Sequence, residues 1–162
     1  MKRTGILNPE LAAVIAELGH GDTLVIADAG LRLPLGAHVV HLELVAGIPN
    51  VSEVLSAVLA ELVVEEALVA TEFEEWNPDV FDSVRSLLPV SPRTLPHEEL
   101  AIQLAGRAKA YVKTGECSAY SSVALVAGVS YFAAAVDLHE RVQAEREVGT
   151  RPAMVGRRGA TD

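Results

Sequence analysis

Short apolar segments alternate along this chain with segments whose apolar residues recur at helical spacing, and this alternation limits the possible folds more than any other feature. The segments 23–27 (TLVIA), 66–71 (EALVAT), 109–114 and 122–128 are typical of buried strands, and 39–45 predicts a further strand. Strands that alternate with helices predict an α/β fold. We therefore expect a single domain in which helices flank a mostly parallel central sheet.

Asparagine marks the start of three predicted helices. Asn8 and Asn77 each precede a proline, the arrangement of an N-cap followed by proline at the first helical position. Asn50 is followed three residues later by Glu53, which is the spacing of a capping box. A further helix is predicted over 97–108, after a loop or short strand at 90–96.

Composition limits the partners and the location that we expect. The chain has 13 Lys and Arg against 22 Asp and Glu, a net charge of −9, so we expect no nucleic-acid partner. No apolar run approaches the roughly 18 residues of a membrane span, and the basic N-terminus leads into a helix start rather than an apolar leader. Cys117 is the only cysteine, which fits a reducing compartment. These features predict a soluble cytoplasmic protein.

The motifs of several common enzyme classes are missing from the sequence. There is no phosphate-binding G-x-x-x-x-G-K-[ST], no dinucleotide-binding G-x-G-x-x-G and no G-x-S-x-G elbow. His38 and His41 point to opposite faces of the predicted strand, so they do not converge on one metal ion. We therefore expect no metal site.

Three places have residues suited to chemistry. His20 lies between two glycines just before strand 23–27, where a ligand can approach the imidazole closely, although the spacing alone favours a helix stop followed by a solvated turn. Asp28 follows the carboxyl end of that strand, the usual place for ligands in α/β sheets; an Asx turn is the alternative. The segment 115–122 (GECSAYSS) combines an aromatic ring with three hydroxyls, and its alternative is a polar hairpin.

These segments together resemble the ribose pyranase and fucose mutarotase family, and within it the ribose pyranase branch. The similar stretches are LNPELAAVIAELGHGDTLVIADAGLRLP, GIPNVSEVL, VEEALVATEFEEWNP, HEEL and GECSAYSSVALVAGVSYF, spread over residues 7–132. The resemblance implies a mutarotase domain over 1–132. Residues 133–162 are an extension, predicted as a helix followed by a mobile tail.

The resemblance also implies an activity and its residues. The family interconverts β-D-ribopyranose and β-D-ribofuranose in carbohydrate metabolism, without a cofactor or metal. His20 matches the proton donor, and imidazole suits this role because its ordinary pKa lies near 6.5. Asp28, His97 and Tyr120 match the family's sugar-binding residues, and the hydroxyls of Ser121 and Ser122 in the same segment are expected to contact the sugar as well.

Position 122 leaves the identity of the sugar open. The family motif usually has asparagine there, whereas this chain has Ser122. A mutarotase for fucose or another monosaccharide is therefore an alternative. A non-catalytic sugar-binding partner of a transporter or kinase is a third possibility.

The length of the first strand predicts that two subunits share each site. His20 and Asp28 flank strand 23–27, and eight extended residues span up to about 26 Å, which is too far for one sugar to contact both side chains. We expect His20 of one subunit to face Asp28 of another. The resemblance agrees, because it implies a ring-shaped homo-oligomer, commonly a decamer.

Overall fold

The computed structural model describes residues 2–131 of the chain. The extension predicted at 133–162 lies outside the described residues. In chain order, the elements are α1 (Pro9–Glu17), β1 (Thr23–Ala27), β2 (Val39–His41), α2 (Val51–Leu59), β3 (Val64–Ala70), α3 (Thr71–Trp76), α4 (Pro78–Leu87), β4 (Arg93–Leu95), α5 (His97–Ala105), β5 (Ala108–Lys113) and β6 (Val123–Ala127).

The strands form one six-stranded sheet in the order β2-β5-β1-β6-β3-β4. β1 and β2 each pair parallel with β5, and β3 pairs parallel with β4. β6 lies between β1 and β3 and pairs antiparallel with both. Five strands therefore run in one direction and β6 alone is reversed, which confirms the predicted α/β fold with a mostly parallel sheet.

Helices cover both faces of the sheet, and β1 shows how the faces are divided. Leu24 and Ile26 pack in the larger core, which includes buried side chains of α1, α2 and α4. Val25 and Ala27 pack in the smaller core, which includes two leucines of α5. All five residues of β1 are buried, so the strand has no solvent-facing side. Side chains that can contact a ligand are therefore expected only in the loops before and after β1.

The three asparagine signals have different outcomes. The Asn8 side chain accepts a hydrogen bond from the Leu11 N–H at 2.9 Å, and Asn50 forms the predicted capping box with Glu53. Helix α4 begins at Pro78 as predicted, but Asn77 makes no side-chain capping bond. The helix start was therefore predicted correctly, whereas the role of Asn77 as a cap was wrong.

Three other local interpretations were also wrong. β2 ends at His41 rather than at residue 45, and the chain from Thr71 forms α3, a short helix that the apolar pattern did not indicate. The segment 115–122 is not a hairpin loop, because β1 lies between β5 and β6 in the sheet. It instead crosses over the end of β1.

The chain up to Val129 forms one compact unit. Among the helices of the described residues, none is both long enough and apolar enough to cross a membrane.

Candidate functional site

The sheet directions place the candidate residues at two opposite edges. Asp28 follows the carboxyl end of β1, and Ser122 precedes the reversed strand β6, so these two meet at the carboxyl edge. His20 precedes β1 and Glu65 belongs to the first residues of β3, so these two meet at the amino edge. The sequence-predicted residues thus form two groups rather than one.

His20 is exposed and has a carboxylate partner at the amino edge. Its side chain is 59% exposed, and its Nε2 lies 2.8 Å from the Glu65 Oε2. The turn that carries His20 is attached to the sheet, because the Gly21 N–H donates to the Ala127 carbonyl at 2.8 Å. Gly21 has a φ of 82°, a left-handed conformation that favours glycine. The second glycine of the motif is therefore required by the turn.

An open cleft adjoins this histidine turn. Its lining includes Gly21 and Glu65 together with Arg93, Gln103 and Arg107. We call it the amino-edge cleft. Because Glu65 contacts both the cleft and His20, the imidazole lies next to a space that is accessible from solvent.

Asp28 is buried at the carboxyl edge and bonded on both sides. Its Oδ2 accepts the Ser122 hydroxyl at 2.6 Å, and its backbone N–H donates to the Ser122 Oγ at 3.0 Å. Its Oδ1 accepts the Gly30 N–H at 2.9 Å, which is an Asx turn. The structure thus contains the alternative predicted for Asp28, together with a second contact to the 115–122 segment. Asp28 is 7% exposed.

Glu116 fixes the 115–122 segment to the rest of the sheet edge. Its Oε1 accepts the Ser118 N–H at 3.0 Å and its Oε2 accepts the N–H of Val51, the first residue of α2, at 3.4 Å. The Glu116 carbonyl accepts the N–H of Ala29 at 2.7 Å. Glu116 therefore connects α2, the segment and the Asp28 turn.

Burial acts to raise the pKa of the Glu116 carboxyl, but hydrogen bonds from Ser118, Val51 and Cys117 stabilise the carboxylate. Together they hold its pKa below the ordinary value of 4.5. The sequence singled out the motif but not this residue. A lone glutamate between a glycine and a cysteine gives no periodic signal, and only the fold shows that it is buried.

Tyr120 and His97 form the aromatic part of the carboxyl edge. Their ring centroids lie 5.1 Å apart with an edge-to-face angle of 71°. Both residues line a small cleft with Leu31, Leu100 and Ser122, which we call the carboxyl-edge cleft. Tyr120 has a φ of 64°, an unusual backbone conformation for a residue with a side chain. Such strain concentrates at functional sites.

Helix α3 supplies contacts to this aromatic pair. Both carboxylate oxygens of Glu72 accept the backbone N–H of His97, at 3.0 and 3.2 Å. The Asn77 Nδ2, directly after the helix, donates to the Ala119 carbonyl at 2.7 Å. The Trp76 ring contacts Tyr120 edge-to-face at 5.8 Å between centroids. Sequence reasoning missed Glu72 and Trp76 because it did not predict α3, and it gave Asn77 only a capping role.

The other residues considered in the sequence analysis have hydrogen-bond or ion-pair partners within the chain. Ser121 is fully buried, and its hydroxyl donates to the Ser118 carbonyl at 2.8 Å. His38 and His41 pair with different carboxylates, Glu10 and Glu43 respectively. Within residues 2–131, no group of three or more His, Cys, Asp or Glu side chains is arranged to hold a metal ion.

Comparison with known protein families identifies the class of protein that has this fold and these candidate residues. The family model described as the RbsD / FucU transport protein family matches residues 1–130. The chain therefore belongs to this family.

The most similar relatives define the branch more closely. The chain is 48% identical to the D-ribose pyranase of Paracidovorax citrulli over 131 residues, which is 81% of this chain and all of that protein. It is also 48% identical to D-ribose pyranase 1 of Rubrobacter xylanophilus, with the same shares covered.

Two solved structures are similar to this one. Bacillus subtilis RbsD, solved in complex with D-ribose, is 38% identical, with a TM-score of 0.75 over 80% of this chain and 98% of that chain. The fucose mutarotase of Streptococcus pneumoniae is 23% identical, with a TM-score of 0.69 over 80% and 99% of the two chains, and shows the shared fold.

Proposed function

We propose that this chain is an isomerase that interconverts β-D-ribopyranose and β-D-ribofuranose by acid–base opening and closing of the sugar ring. The observation that carries the proposal is an exposed histidine in a glycine-flanked turn, paired with Glu65 and adjoining an open cleft. The identity of 48% to relatives named D-ribose pyranase supports ribose as the substrate.

The reaction needs a group that both gives and takes a proton. Opening the hemiacetal requires a proton on the ring oxygen and the loss of one from the anomeric hydroxyl, and a different hydroxyl then attacks the aldehyde. We assign this proton transfer to His20, whose side chain is exposed. The Glu65 carboxylate orients the imidazole through the 2.8 Å contact to Nε2.

We assign sugar binding to the carboxyl edge. His97, Tyr120 and Ser122 line its cleft, so they are placed to contact sugar hydroxyls and the apolar face of the ring. The Asp28 carboxylate accepts the Ser122 hydroxyl at 2.6 Å, so it adjoins the cleft through Ser122, and each of its oxygens keeps a lone pair for a further hydrogen bond. For Ser121, a direct sugar contact requires its hydroxyl to leave the Ser118 carbonyl.

The two edges make a shared site the simplest way to join the acid–base residue with the binding residues. β1 has five residues, which at about 3.3 Å per residue separate its two ends by about 13 Å, and His20 and Asp28 lie beyond those ends. We propose that His20 of one subunit serves the carboxyl-edge cleft of a neighbour in a homo-oligomer, with a decamer as the expected form. We place this assembly in the cytoplasm, consistent with a single cysteine that is free.

A comparison of several sugars tests which one is the substrate. Exchange between ring forms is measured by saturation-transfer NMR for ribose, fucose and glucose at equal protein concentration. Acceleration that is greatest for ribose supports the proposal. Acceleration of fucose alone would replace ribose by the alternative substrate that Ser122 leaves open.

A non-catalytic sugar-binding partner of a transporter or kinase remains the rival from another class. It predicts that calorimetry detects ribose binding while NMR detects no acceleration for any sugar. The proposed isomerase predicts both binding and acceleration.

A further inference from the structure

Helix α3 contacts both aromatic residues of the carboxyl-edge cleft from one side. Glu72, in its first turn, accepts the backbone N–H of His97 with both carboxylate oxygens. Asn77, one residue beyond its end, donates to the carbonyl of Ala119, which immediately precedes Tyr120. One short helix therefore holds the backbone at both members of the His97–Tyr120 pair.

Asn77 makes this contact instead of the capping bond expected at the start of α4. It precedes Pro78 at the start of α4, where an asparagine side chain usually accepts an N–H of its own helix. It makes no such bond, and its amide instead reaches a carbonyl 42 residues away in sequence. Departures from local structural preference, such as a missing helix cap, are expected at functional sites.

The contact acts at the point where the backbone is strained. Tyr120 has a φ of 64°, and a residue with a side chain keeps this conformation only when its surroundings fix it. The bond from Asn77 holds the peptide group between Ala119 and Tyr120. The contact between Trp76 and the Tyr120 ring holds the side chain of the same residue.

We propose that Glu72 and Asn77 are positioning residues that set the spacing of His97 and Tyr120 for sugar binding. This inference rests on the proposed function, because it assigns the two side chains to the binding half of that site. Neither residue belongs to the cleft lining, and His20 lies at the opposite edge of the sheet. Their loss therefore weakens binding and leaves the proton-transfer step intact.

The sharpest variant is Asn77→Asp, which has the same shape but replaces the amide donor by an acceptor facing the Ala119 carbonyl. Asn77 makes no side-chain capping bond to α4, so the change removes none from that helix. We expect the KM for ribose in NMR exchange to rise about tenfold, while kcat stays within about twofold and the melting temperature does not fall.

A second pair of variants tests Glu72 by the same measurement. Glu72→Ala removes the acceptor for the His97 N–H, so KM rises as it does for Asn77→Asp. Glu72→Gln keeps one acceptor oxygen and restores a KM close to that of the wild type. The matched control is Glu75→Gln, an exposed carboxylate of the same helix, for which neither KM nor kcat changes.

An unchanged KM in Asn77→Asp and Glu72→Ala would overturn the inference, as would parallel losses of kcat and melting temperature. If the wild type binds ribose in calorimetry without accelerating exchange, the proposed activity fails, and the dissociation constants decide the role of the two residues. A tenfold weaker binding then supports positioning, and equal binding overturns it. A wild type that neither binds ribose nor accelerates exchange contradicts both.

Discussion

The His20 imidazole is 59% exposed, and among residues 2–131 its carboxylate partner is Glu65. Gly21, next to it, adopts a left-handed conformation, so the turn presents the ring at the edge of the sheet. The Glu65 side chain is 42% exposed, and pairs at this level of exposure contribute modestly because water screens them. The pair therefore adds little to stability, and the role that we propose for Glu65 is to orient the imidazole.

Replacement of Glu65 by glutamine tests this role. The variant keeps the size of the side chain and loses its charge, so we expect kcat for ribose exchange to fall about fivefold, equivalent to about 1 kcal/mol, with KM unchanged. The control is Glu17→Gln, an exposed carboxylate at the end of α1 that does not line the amino-edge cleft. A loss as large as that of His20→Ala would contradict the modest orienting role assigned to Glu65.

At the scale of elements, the segment 115–122 depends on its contacts with neighbouring elements. Gly115 has no room for a side chain, because an added Cβ would lie 2.5 Å from the Val45 carbonyl oxygen and 2.6 Å from the Ile48 nitrogen. Glu116 then accepts the N–H groups of Val51 and Ser118. The first two residues of the motif thus attach the segment to α2 and to the 45–48 loop, and the later residues form the candidate site.

The lowered pKa of Glu116 makes this attachment sensitive to acid. The folded state binds the proton more weakly than the unfolded state, so the carboxylate stabilises the fold above the ordinary pKa of 4.5. This stabilisation is lost as the pH falls through the lower folded-state pKa.

We expect Glu116→Gln to lower the free energy of unfolding at pH 7 by about 1–3 kcal/mol, because its amide places a donor against a backbone donor. Urea unfolding from pH 7 to pH 3 measures the effect, and the difference from the wild type should shrink below pH 4.5. A difference that stays constant with pH would contradict the assigned role of the charge.

Elements marked by local signals were predictable from sequence, and elements defined by distant contacts were not. The short apolar run of β1 and the capping box of α2 are local signals, and both elements occur where the sequence placed them. Helix α3 has six residues and one buried side chain, Phe73, so it has no periodicity to detect. The reversal of β6 depends on pairing with β1 and β3, which no local pattern encodes.

The same distinction applies to the candidate site. His20 and Asp28 were recognisable because glycines and a strand end mark them in the sequence. Glu65, Glu72 and Asn77 each reach a partner at least 25 residues away, so only the fold brings them to the site.

At the scale of the whole molecule, the account requires two subunits for one site. Chains with His20→Ala and chains with Asp28→Asn should each be nearly inactive alone. When the two are coexpressed in equal amounts, about a quarter of the shared sites combine an intact His20 with an intact Asp28 and recover activity.

A mixture of His20→Ala and His20→Gln chains is the control, and it should recover none. Failure of the first mixture to exceed its parents would place both residues in one subunit's site.

The most direct test of the central claim is the rate of ribose ring exchange in saturation-transfer NMR, compared between the wild type and His20→Ala. The account predicts that the wild type accelerates exchange between the pyranose and furanose forms. His20→Ala should lose about 10²–10⁴-fold of that acceleration while its oligomeric state and melting temperature stay the same. An intact His20→Ala variant that exchanges ribose as fast as the wild type would contradict the account.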